Sequence, residues 1–170
     1  MKKFLRWALI TLAIVITASA LARCLFFLQF NHTRLWAHAA DYDNYADDFH
    51  VVKDYIQAKF PGEYGKSIYV SSNGGTQLYD PDTNEYLQLP SDVLASLEAI
   101  LRNGFPHKDA DLGKIMIHKD RISFCTTKGQ YALVYSPSQK PSWVNSPDDA
   151  AMTRIKSIGN GWYHVAKTSG

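Results

Sequence analysis

Residues 114–136 read Lys-Ile-Met-Ile-His-Lys-Asp-Arg-Ile-Ser-Phe-Cys-Thr-Thr-Lys-Gly-Gln-Tyr-Ala-Leu-Val-Tyr-Ser. Three runs rich in β-branched and aromatic residues stand here, Lys114–His118, Arg121–Thr126 and Gln130–Ser136. Tight turns at Lys119-Asp120 and Lys128-Gly129 separate them. Links this short join antiparallel neighbours, because a parallel partner needs a crossover of roughly a dozen residues or more. The stretch therefore predicts an antiparallel meander.

Working outward, Arg154–Ile158 and Trp162–Lys167 flank Gly159-Asn160-Gly161 and predict a final hairpin. Between them and the meander lies a loop, Pro137–Asp149, rich in Ser, Pro and Asp. Upstream, Ser67–Ser71 ends at the turn Asn73-Gly74-Gly75, and Gln77–Tyr79 and Glu85–Leu89 flank the loop Asp80-Pro81-Asp82-Thr83-Asn84. Two helical patterns complete the domain. In Asp41–Phe60, Tyr42, Tyr45, Phe49, Val52, Ile56 and Phe60 recur at steps of three and four, and Pro61-Gly62 ends the run. The second begins at Ser91, a good N-cap residue, carries Val93, Leu94, Leu97, Ile100 and Leu101, and stops at Asn103-Gly104 before Pro106. Helix, strands, helix and meander define an α+β fold.

The amino terminus is of a different kind. Lys2, Lys3 and Arg6 precede an uncharged, largely apolar run, Trp7–Ala22, and apolar character resumes after Arg23 from Cys24 to Leu28. Continued to Phe30, one helix through residues 4–30 is long enough for a hydrocarbon core of about 30 Å. Trp7 and Trp36 would lie near its two interfaces. Basic residues before the run and Asp41, Asp43, Asp47 and Asp48 after it place Met1 in the cytoplasm and the rest outside. Two rival readings are weaker. Ala18-Ser19-Ala20 fits a signal-peptide cleavage site, but cleavage would expose the block Leu25–Phe30. Leu21-Ala22-Arg23-Cys24 resembles a lipobox, but Arg23 stands where a small residue is needed. The sequence thus divides into a cytoplasmic tip and transmembrane anchor, 1–34, and an extracytoplasmic domain, 41–170.

Charge narrows the function. Of 18 Lys and Arg, five precede Leu35, leaving 13 against all 16 Asp and Glu in the remainder. A mildly acidic domain is poorly suited to phosphate backbones, so nucleic acid is excluded as a partner. Cys24 and Cys125 are too far apart in the plan to form a disulfide, and Cys125 reads as a buried strand residue.

Candidate chemistry is sparse, and no cofactor motif occurs. Asp80-x-Asp82-x-Asn84 opens like a calcium loop, but Glu85 and Ser91 stand where Gly and Glu are required, so a hairpin turn is the better reading. No histidine pair or cysteine cluster has zinc spacing. His118 with Asp120, and separately His164, are the polar residues that could serve as catalytic acid or base. Tyr69, Tyr79, Tyr86, Tyr131, Tyr135, Trp162 and Tyr163 all fall in strands, where aromatics serve cross-strand pairing or, on an open face, ligand binding. Tyr135, Trp162 and Tyr163 are the ligand-binding candidates. Asn31-His32-Thr33 is a formal glycosylation sequon beside the membrane segment.

Tyr131-Ala132-Leu133-Val134-Tyr135-Ser136, then Lys140-Pro141 and Gly161-Trp162-Tyr163-His164-Val165, resembles the C-terminal half of small membrane-anchored proteins of Gram-positive bacteria, which are uncharacterised. The resemblance implies location, not activity. The expectation is a single-pass membrane-anchored, extracytoplasmic binding or interaction module. A small cell-envelope hydrolase is the alternative. Two histidines gathered with a carboxylate would favour the enzyme; a continuous aromatic face would favour binding.

Overall fold

A computed structural model describes residues 15–24, 39–71, 75–105, 111–128, 131–138 and 153–167. The chain divides into two compact units, Met1–Ala37 and His38–Gly170. In the first, residues 15–24 form a helix (α1) whose side chains are all exposed, among them Val15, Ile16 and Leu21 at 55, 60 and 64%. The Ser19 hydroxyl donates to the Val15 carbonyl at 2.8 Å, so this helix satisfies its own polar side chain. Among the described residues, no helix is long and apolar enough to cross a membrane. The rest of the 4–30 segment, the sequon, the Asn73-Gly74 turn, Gly129 and most of the Pro137–Asp149 loop lie outside the described residues.

The second unit is α+β. Its elements are α2 (Tyr42–Lys59), β1 (Lys66–Ser71), β2 (Gln77–Asp80), β3 (Glu85–Tyr86), α3 (Ser91–Ala99), β4 (Leu112–Ile117), β5 (Ile122–Thr126), β6 (Tyr131–Tyr135), β7 (Thr153–Gly159) and β8 (Trp162–Lys167). A π-helical turn, Ile100–Gly104, follows α3 directly. The strands form one antiparallel sheet in the order β3-β2-β1-β4-β5-β6-β8-β7. The expected meander is β4-β5-β6. The last hairpin inverts the simple order, because β8 returns to pair with β6 and leaves β7 at the edge. Its turn places Gly159, Asn160 and Gly161 at φ of 98°, 51° and 78°, a left-handed run that these three residues accept at low cost. At the start of β4 a bulge falls between Leu112 and Lys114. Gly113 fits there because a Cβ would meet the Thr127 backbone at 2.8 Å.

α2 packs on one face of the sheet. Phe49 is fully buried, with its ring edge-on to Phe124 at 5.3 Å and tilted against Trp162 at 6.2 Å. Tyr42, Val52, Ile56 and Phe60 are buried along the same stripe, while Tyr45 is half-buried where the helix departs from regular dihedrals. Each such side chain contributes about 1.5–3 kcal/mol by leaving water. The stripe is core. α3 packs beside α2 and buries Val93, Ser96 and Leu97. The Asp41 N–H donates to the Gly104 carbonyl at 2.8 Å and ties the start of α2 to the π turn.

Three local expectations change. Ser91 is the first helical residue, and Pro90 takes the cap position, entering in extended geometry without a side-chain cap bond. The strand expected through Leu89 ends at Tyr86, although the Leu87 N–H still donates to the Leu78 carbonyl at 2.8 Å. Lys53, on the polar side of the pattern, is buried with its ammonium 4.5 Å above the Tyr135 ring and paired with Asp54.

Candidate functional site

Strand register determines which side chains share a face, since directly paired residues in antiparallel strands point the same way. Ile68, Leu78, Ile115, Phe124 and Leu133 point toward the helices and are buried. The opposite face carries a cross-strand row that runs Tyr86–Tyr79–Tyr69–Lys114–Cys125–Ala132–Val165–Ile155. One end of this row is open and aromatic; the other is apolar and closed.

At the open end, Tyr69 and Tyr86 are 46% and 55% exposed, and Tyr79 stands half-buried between them. The rings of Tyr79 and Tyr86 lie 5.3 Å apart at 53°. The Tyr79 hydroxyl donates to Asn84 Oδ1 at 2.8 Å, and Asn84 holds φ of 60° in the β2–β3 loop. That bond orients the middle ring. At the closed end, Cys125, Ala132, Val134 and Val165 form a buried cluster packed by Met116, Ile155 and Tyr163. Burial pushes the Cys125 thiol up to about 11, only partly opposed by Lys114, so this sulfur is protonated and unsuited to nucleophilic attack.

The calcium-like loop resolves into an internal ion cluster. Lys66 is buried, and its ammonium lies 2.8 Å from Asp80 Oδ2, 2.9 Å from Glu63 Oε2 and 3.4 Å from Asp82 Oδ2. Burial alone would raise the Asp80 carboxyl, but hydrogen bonds from Lys66 and the Asp82 N–H win and hold it below the usual range. Lys66 is held well above its usual range, chiefly by Asp80. An ammonium occupies the position between carboxylates that a cation-binding loop would leave for a metal. Among the described residues no group of three or more His, Cys, Asp or Glu is arranged to hold a metal ion.

The histidines nominated from sequence sit far apart. His118 follows β4, and its N–H donates to the Arg121 carbonyl at 2.9 Å within the β4–β5 turn. Burial holds its imidazole below the usual value; Arg121 adds to this and Asp120 opposes it. The Asp120 carboxylate lies 3.6 Å from Arg121. His164 is on β8, three strands away from β4, about 14 Å at ordinary strand spacing. It is buried on the helix face, where the Tyr131 hydroxyl is hydrogen-bonded to its Nδ1 and the Ala40 N–H donates to the Tyr131 oxygen at 3.0 Å. Burial pushes His164 down to about 4, with Lys156 adding to the effect and Asp43 opposing it.

The nominated aromatics also separate. Trp162 is fully buried beneath α2, Tyr135 lies under Lys53, and Tyr163 packs on the apolar cluster of the other face. None of the three belongs to the open row. The sequence marks Tyr69, Tyr79 and Tyr86 as strand tyrosines, but no local signal in it distinguishes Lys114. Only the pairing of β1 with β4 brings it beside Tyr69. Comparison of the chain with protein-family models, curated protein sequences and solved structures returned no match.

Proposed function

We propose that this protein is a single-pass, membrane-anchored extracytoplasmic binding module whose binding surface is the open end of the tyrosine row. The observation that carries the reading is the alignment of Tyr86, Tyr79 and Tyr69 on three adjacent strands, with the outer two exposed and Tyr79 half-buried between them. Tyrosine offers flat area and a hydroxyl at small conformational cost, which suits recognition. The nominated His118 and His164 are separated on the sheet, which gives the hydrolase alternative no support. The anchor rests on the apolar run with its basic flank and on α1, whose side chains are all exposed.

Two measurements test this. A reporter fused after Gly170 should be active only outside the cytoplasm, and activity of a cytoplasm-only reporter would refute the topology. Tetranitromethane labelling should modify Tyr69 and Tyr86 in the purified full chain and spare them in the intact cell envelope. Equal labelling in both would remove the binding surface.

A further inference from the structure

Resting on that binding reading, we infer that the ligand is a glycan strand laid across the β-strands, with an anionic substituent at the Lys114 end of the row. Three observations select this class. First is direction. The row runs perpendicular to the strands and spans about 14 Å from Tyr86 to Lys114 at ordinary strand spacing. A peptide that adds to a sheet edge runs along the strands, and β3 offers only Glu85–Tyr86 for such pairing. A ligand that follows the tyrosines crosses the strands.

Second is the chemistry of the surface. Tyr69 and Tyr86 are exposed and Tyr79 is half-buried, whereas protein anchors favour desolvated pockets. Pyranose rings have apolar C–H faces that stack on exposed aromatics, and their hydroxyls need polar neighbours. Ser71 and Gln77, paired on the same face one step along the strands, supply them.

Third is charge. Asp80 and Glu85 pair with each other and so project to the helix face, and Asp80 is committed to Lys66. Among the described residues, Lys114 is the single charged group that the register places at this end of the open face. It pairs with no carboxylate among the described residues, which leaves it for an acid on the ligand.

The test is a titration of the full chain in detergent micelles with three probes: a short oligogalacturonate, a neutral cello-oligosaccharide of equal length, and poly-glutamate. Both glycans should bind saturably, the acidic one more tightly. Tyr86→Ala, on the exposed edge strand and away from the core, should weaken both about tenfold, equivalent to about 1.4 kcal/mol. Tyr79→Phe, which keeps the ring, should retain most of the affinity. Lys114→Gln should bring the acidic glycan down to the affinity of the neutral one. Failure of both glycans to bind overturns the inference. Tyrosine-dependent binding of poly-glutamate alone overturns it too, but leaves the binding surface standing. Glycan binding unchanged by Tyr86→Ala and Tyr69→Ala overturns both readings.

Discussion

The Trp162 indole N–H donates to His50 Nε2 at 3.2 Å and joins the last strand to the first helix of the domain across 112 residues. An indole nitrogen can only donate, so Nε2 must accept and the imidazole proton sits on Nδ1. The Tyr42 hydroxyl, 3.3 Å from the same nitrogen, must then donate as well. Two donors on one lone pair hold Tyr42, His50 and Trp162 in one arrangement at the helix–sheet junction.

His50→Ala should therefore strand the buried indole N–H. The expected loss is about 1–3 kcal/mol, the cost of an unmet buried donor. Urea unfolding followed by circular dichroism measures it. His50→Gln, which can still accept, should lose less; equal losses would show that ring packing, not the hydrogen bond, is what His50 supplies.

Lys66→Met should be the more damaging change. It leaves Asp80 buried without its cation, and breaking such a pair costs about 3–5 kcal/mol. Adding Asp80→Asn should recover part of the loss, and additive effects in the double variant would refute the coupling. Because Asp80 is held below its ordinary 3.8, its contribution is present above that pH and declines as pH falls through the depressed folded value. Lys66 is raised above 10.5, so its contribution is present below that pH and is lost only at higher values. The cluster should be insensitive to pH through the neutral range.

His164 acts within a nearer window. Its ordinary value of 6.5 falls to about 4 in the folded chain, so the unfolded state takes up the proton first as pH drops. Stability from this group is complete above pH 6.5 and declines toward pH 4. At about 1.4 kcal/mol per pH unit, the whole window is worth roughly 3 kcal/mol. Unfolding midpoints of the full chain at pH 7 and pH 4.5 should differ accordingly. His164→Gln should flatten this slope, and a slope unchanged in that variant would assign the effect to other groups.

Ser123 should be improvable. Its hydroxyl is buried on the outer face beside Met116 and Val134, with no hydrogen-bond partner among the described residues. Ser123→Ala removes the orphan polar atom and should raise stability by about 1 kcal/mol. A lower midpoint in urea would show that the space the oxygen fills matters more than its lost hydration.

Much of the fold was legible in the chain. The β-branched and aromatic runs with tight turns between them dictate β4, β5 and β6, because so short a link leaves only antiparallel pairing. Phe49, Val52 and Ile56 at helical steps dictate the buried stripe of α2, since one apolar face must leave water. Alternation within a strand also shows that Tyr69 points away from Ile68. What it does not show is which strands become neighbours. The pairing of β1 with both β2 and β4, and the insertion of β8 between β6 and β7, are long-range choices made by packing. Those choices align Tyr69, Tyr79 and Tyr86 into one row, bring Lys114 to its end, and bury Lys66 among three carboxylates. Local sequence sets each side chain's parity along its strand. Only the assembled sheet sets its neighbours across strands, and the candidate site is made of those neighbours.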